Sequence, residues 1–393
     1  MKVSAFSYKI RAIAPGLKNL KLKSATMYFK HALLFLVGSL LFLMVQAQED
    51  TVMVTIAADT LSSDQQEGGI SVKALEFYNT GLASYENNDL ESAIQNFTEA
   101  VAAEPNFAKA IYNRSAAYVK LKRYEEAIAD YDQFILLADT AREVYFLRAR
   151  AYHLSGNEEA AIAAYAEAIE RGAHRESASL YRAELNFRKG NFSESEADYT
   201  IAIHTNPENA QAYHDRGSIR KLQEKFQAAA DDYNRAIQIN PRMALAYNNL
   251  GAVYRKMNKL EDALAEYNQA VRLEPNNVLA LNNRGYTHFL MGAYDKAETD
   301  FLKAVSLDPK YAYAHNNLAS AYIKQKRYPE AITSATAALA IDPEYGYAYL
   351  NRGIAREMVR DIPGACSDWN KAVSMNIPNA DTYRSAPCKY QNQ

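Results

Sequence analysis

The chain has 393 residues, 49% of them apolar, with a formal net charge of −2 and two cysteines. That allows a sizeable folded body and excludes a cysteine-framed mini-scaffold. The charge is unevenly spread: residues 1–47 hold Lys2, Lys9, Arg11, Lys18, Lys21, Lys23 and Lys30 and no acid, and setting these seven aside leaves 37 basic against 46 acidic side chains, which argues against general nucleic-acid binding.

Ala32 to Val45 is an apolar core preceded by Lys30 and followed by Gln46-Ala47. A spanning helix needs about 20 apolar residues, so this shorter core reads as a signal peptide cut after Ala47. The reading places the protein outside the cytoplasm, periplasmic or extracellular. The alternative is a chain held in the membrane by uncleaved residues 32–45. Met27 is a better-placed start than Met1 for such a leader. Residues 48–73 are acidic and polar without helical period, and read as a flexible tether.

From 74 to 379 one pattern returns about nine times, best seen in Ala244 to Asn277. Pro207, Pro241, Pro275, Pro309 and Pro343 fall 34 residues apart, and the same phase reaches Pro105. Within the unit Tyr247, Gly251 and Tyr254 form one helical stripe, and Leu260, Ala263, Leu264, Tyr267 and Ala270 form a second. Met257-Asn258-Lys259 separates them, and each unit is therefore a helix hairpin closed by proline. Asp139 and Ala173 replace the closing proline in the second and third units, so residues 139–180 are where curvature is expected to change. Residues 380–393 are a C-terminal cap and tail after Trp369, with Cys366 and Cys388 expected to bond there, a loop worth about 3 kcal/mol in the chain-entropy picture.

This 34-residue Gly/Tyr/Ala/Ala/Pro pattern resembles the tetratricopeptide repeat (TPR). The resemblance implies an all-α fold, an α-solenoid superhelix of about nine hairpins, in which stacked neighbours bury what one hairpin cannot. It also implies a protein-binding module.

No phosphate loop, dinucleotide turn, nucleophile elbow or paired metal-ligand motif is present, and His214 and His315 read as packing or surface residues. The expectation is no enzyme, no cofactor and no metal, with a protein or peptide partner and neither a nucleic acid nor a small-molecule substrate.

The candidate site is the groove lined by first helices. Asn249 lies about 200° round its helix from Tyr247 and Gly251, away from the packed stripe. Asn79, Asn113, Asn283, Asn317 and Asn351 share its slot, with Asp215 in the fifth unit, and Asn248, Asn282 and Asn316 double it. The row resembles the asparagine ladder in the TPR superhelix of O-linked N-acetylglucosamine transferase, where amides grip a peptide backbone; Asn is also common at this slot in ordinary TPRs. Leu245, Leu279, Tyr313 and Tyr347 flank it. Asn113 also matches the central asparagine of TPR carboxylate clamps, but Tyr78, Leu82, Glu143 and Leu147 stand where basic residues are needed. The function expected is capture of an extended polypeptide, the alternative a structural scaffold assembling envelope proteins through its convex face or ends. Water is expected to satisfy the free amides, so Asn249→Ala, Asn283→Ala and Asn317→Ala together should leave stability unchanged or slightly raised.

Overall fold

The computed structural model describes residues 70–385 and Cys388, and the leader and most of the tether lie outside them. These residues fall into two compact units, one ending at Val144 and one starting at Tyr145. The first holds α1 (Val72–Glu86), α2 (Leu90–Ala103), α3 (Ala108–Lys120) and α4 (Tyr124–Leu137), and the division falls just inside α5 (Glu143–Leu154). The second continues with α6 (Glu158–Arg171), α7 (Arg175–Lys189), α8 (Phe192–Thr205), α9 (Ala210–Leu222), α10 (Phe226–Ile239), α11 (Ala244–Lys256) and α12 (Leu260–Leu273). Then follow α13 (Val278–Leu290), α14 (Tyr294–Leu307), α15 (Ala312–Lys324), α16 (Tyr328–Ile341), α17 (Gly346–Met358), α18 (Ile362–Ser374) and the short α19 (Ala380–Ser385). Helices pair in succession as hairpins, and the described residues contain no strand. The fold is an all-α solenoid of helix hairpins, and the first and second helix of each repeat are called A and B below.

Three local rules build every hairpin. The A-to-B turn holds one residue at positive φ, at Asn88, Lys122, Gly156, Gly190, Glu224, Asn258, Gly292, Lys326 and Arg360, each 34 after the last. The left-handed conformation reverses the chain there, and it is strained for every occupant but glycine and, less so, asparagine. The residue before each closing proline leaves the helical region, as at Asp308 with φ −133°, because the proline ring disfavours helix there. Repeat two, which has Asp139 for proline, also leaves the helical region at Ala138, with φ −145° and ψ 64°. Repeat three ends differently, with Gly172 left-handed at φ 75°.

Close approach of A to B rests on the small residues. A Cβ on Gly251 would stand 2.9 Å from the Tyr267 ring, and Tyr267 is fully buried. In the second unit B helices pack on the next A helix, and α9, α11, α13, α15 and α17 touch in succession, so A helices line one face. At the far end α19 packs on α18, Tyr383 stacks on the buried Trp369 at 6.0 Å, and the Cys366–Cys388 disulfide ties the segment down. Both cysteines are thereby used.

Candidate functional site

The asparagine slot does something the sequence alone did not disclose. Five of these side chains, Asn113, Asn249, Asn283, Asn317 and Asn351, reach back 35 positions to the preceding A helix. In the first unit Asn113 Nδ2 donates to the Tyr78 hydroxyl at 3.0 Å. In the second unit Asn249 Nδ2 meets His214 Nε2 at 2.9 Å, and Asn283, Asn317 and Asn351 donate to the side-chain oxygens of Asn248, Asn282 and Asn316 at 3.0, 2.9 and 2.8 Å. One amide each in repeats two, six, seven, eight and nine thus clips neighbouring A helices together.

The expectation of water-satisfied amides is corrected here. Asn249, Asn282 and Asn316 are buried, and Asn248, Asn283, Asn317 and Asn351 half-buried. Asn249 does not face open solvent as its helical angle suggested: its oxygen accepts from Lys221 Nζ at 3.0 Å. The angle was sound within one helix, but the neighbouring A helix covers the side chain. The clip leaves Asn283 and Asn317 with one N–H and part of the carbonyl oxygen's capacity. Asn351 uses both N–H groups, on Asn316 and on Ser320 Oγ at 2.9 Å.

Tyrosines adjoin the amide row. Asn316 Nδ2 donates to the Tyr345 hydroxyl at 3.2 Å, and the Tyr345 ring lies 5.1 Å from that of Tyr313, itself 5.7 Å from Tyr311. Tyr313 and Tyr347 are 43% and 47% exposed, while Leu245 and Leu279 at the same slot are half-buried. Burial pushes the Tyr311 phenol up to about 12 and the Tyr345 phenol higher still, so both remain neutral.

Upstream the same face is charged. In α9 the Asp215 carboxylate accepts from Gln211 at 2.8 Å and lies 2.8 Å from the buried His214 ring. In α7 Glu184 has its carboxyl pushed up by burial, opposed by Arg188. The other singled-out histidine, His315, contacts the Pro309 carbonyl oxygen at 3.1 Å. Among the described residues no group of three acidic, histidine or cysteine side chains is placed to hold a metal ion.

A second device was missed from sequence. Arg114, Arg182, Arg216, Arg284 and Arg352, one residue after the slot, each bind an aspartate 16 positions later in the B helix. Arg216 grips Asp232 through Nε at 3.0 Å and Nη2 at 2.7 Å, and its third arm reaches Thr200 of the previous B helix at 3.0 Å. The signal was available, since these arginines share the 34-residue phase and each has its aspartate at the same offset. In repeats six and eight the position holds buried Leu250 and Leu318 instead.

A solenoid of helix hairpins with a polar A-helix face defines a class of repeat scaffold that binds other polypeptides. Tetratricopeptide-repeat profiles match residues 78–141, 143–171 and 278–345, and a TPR-repeat profile matches 217–258 and 253–292. The chain belongs to the tetratricopeptide repeat family. Similar solved structures include a TPR protein from Parabacteroides merdae, 18% identical with TM-score 0.50 over 62% of this chain and 97% of that one. The C-terminal part of a TPR repeat-containing protein from Cytophaga hutchinsonii is 17% identical with TM-score 0.52 over 61% and 99%. A chain of the APC/C hetero-tetramer Cut9–Hcn1 is 14% identical with TM-score 0.50 over 83% and 78%. At these identities the likeness is one of fold. No curated protein matches the sequence.

Proposed function

We propose that this chain is an exported, non-catalytic binding module that holds an extended polypeptide along the A-helix face of repeats six to nine. The observation that carries the reading is the clipped amide row. Three asparagines are held by a neighbouring repeat, and two keep a donor and acceptor to offer. An edge fixed before the ligand arrives costs less to order than a free side chain. An amide can both donate and accept, which suits a peptide backbone better than a charged tail. The Cys366–Cys388 bond supports an oxidising compartment, as does the leader at 1–47. Among the described residues no helix is long and apolar enough to cross a membrane.

The test places a photo-crosslinking amino acid at Tyr313 or at Tyr347, with Leu302 on a B helix as control, and selects linear peptides from a displayed library. Selected peptides should cross-link from Tyr313 and Tyr347 and not from Leu302. Cross-links from Leu302 alone would overturn the groove and favour a scaffold working through its outer face.

A further inference from the structure

We propose that the amide row and its tyrosines select an uncharged, proline-rich segment in the polyproline II conformation, an inference that rests on the groove reading above. Four observations meet in this one stretch.

The first is charge. Helices α11, α13 and α15 contain no aspartate or glutamate, and α17 has only Glu357 near its end, whereas the A helices just upstream carry Glu176 and Glu184 in α7 and Asp215 in α9. One basic group, Lys221 of α9, meets the row at its first member, Asn249, at 3.0 Å, and the others are set aside from Asn283, Asn317 and Asn351. Arg284 and Arg352 are taken by Asp300 and Asp368, Arg255 lies over the Tyr286 ring at 5.1 Å, and Lys256 and Lys324 are at the exposed C-terminal ends of their helices. Seven positions separate Lys256 from Asn249, about 10 Å along the helix.

The second is the aromatic patch. Tyr311, Tyr313 and Tyr345 form a run of tilted rings, at 42° and 55° to one another. Flat, rigid side chains of this kind are what proline rings dock against. The patch is continuous with the row, because Asn316 is shared by Asn351 and Tyr345.

The third is period. Neighbouring packed helices lie about 8–10 Å apart, and one polyproline II turn of three residues rises about 9.3 Å. At that spacing a polyproline II chain laid across the A helices would turn the same side to Asn283, Asn317 and Asn351 once per turn. Three residues of β-strand rise about 10 Å as well, but successive contacts then fall on opposite sides.

The fourth is hydrogen-bonding sense. Proline has no N–H, so a proline-rich backbone offers mainly acceptors. Asn283 and Asn317 each keep an N–H beyond the one given to Asn248 or Asn282, and the Tyr313 and Tyr347 hydroxyls add donors at the rim.

The test uses the mature chain with its disulfide intact and a labelled peptide of about 12 residues, four turns of repeating Pro-Pro-Thr. Fluorescence anisotropy should show saturable binding. Glycine in place of the prolines should weaken it by roughly tenfold or more, since the flexible chain must then be ordered on binding. In the protein, Tyr313→Ala with Tyr347→Ala should weaken it to a similar degree, whereas Tyr313→Phe, which keeps the ring and loses one rim donor, should weaken it only a few-fold. Equal affinity for the proline and glycine peptides, with cross-links still arising at Tyr313 and Tyr347, would overturn the polyproline preference and leave the groove standing. Tighter binding of an acidic peptide of equal length would overturn it too. No binding of either peptide, with selected ligands cross-linking from Leu302 alone, would overturn both readings.

Discussion

Repeats five and six lie side by side and are built on one plan with opposite chemistry. Gly217 and Gly251 both back onto a buried tyrosine, Tyr233 and Tyr267, and both A-to-B turns pass through φ of 60°, at Glu224 and Asn258. The polar slots beside them diverge. Repeat five carries His214, Asp215, Arg216 and Asp232 where repeat six carries Asn248, Asn249, Leu250 and Glu266. Shape positions cannot change without breaking the stack, so the neighbouring slots are where binding chemistry can be written. One repeat writes charge and the next writes neutral amides, and the amides continue to repeat nine.

The contrast can be broken at its strongest point first. Asp232 receives Arg216 through two arms and Arg220 Nη1 at 2.9 Å, and is almost fully buried. Asp232→Ala strands the largely covered Arg216 guanidinium, while Arg220 keeps Glu196 at 2.8 Å, and should lower stability by about 3 kcal/mol. The paired change in repeat six, Glu266→Gln, should act the other way and weakly. Burial, with a lesser push from Asp262, raises the Glu266 carboxyl above 4.5, so its ionised form opposes folding at neutral pH. That penalty is full above the raised folded value and gone below the unfolded one. The variant should therefore gain less than about 0.5 kcal/mol at neutral pH and nothing below pH 4.5. Urea midpoints at two pH values check both, and losses of similar size in the two repeats would void the comparison.

The amide row comes next in size. Asn317→Ala removes the donor to the buried Asn282 oxygen and should cost about 1–3 kcal/mol, the penalty of an orphaned buried acceptor. Thermal denaturation that left the Asn317→Ala melt unchanged would show that water satisfies this amide after all. The smallest effect belongs to the turns. Glycine relieves a left-handed residue at the expense of chain entropy, so Glu224→Gly should gain a few tenths of a kcal/mol, and Asn258→Gly less because asparagine tolerates that conformation. Denaturant midpoints rank them, and a larger gain at Asn258 would contradict this.

The hairpins were legible because Gly251, Tyr267, Ala263 and the closing prolines act through size and backbone, which a 34-residue period prints directly. The left-handed turn slot was hidden because asparagine, lysine, glutamate, arginine and glycine all occupy it. The clip of Asn317 onto Asn282 was hidden for another reason: its partner lies 35 residues away, and only stacking one A helix on the next brings the two together. Helical angles placed Asn249 on the A-helix face and could not see His214 and Lys221 covering it.

The central claim, that the neutral amide face holds the ligand, is tested most directly by the amide hydrogen-exchange footprint of a peptide selected on the mature chain. Added protection should appear in α13, α15 and α17, around Asn283, Asn317 and Asn351, and leave α7 and α9 unchanged. Protection confined to α7 and α9, beside Glu184 and Asp215, would contradict the account.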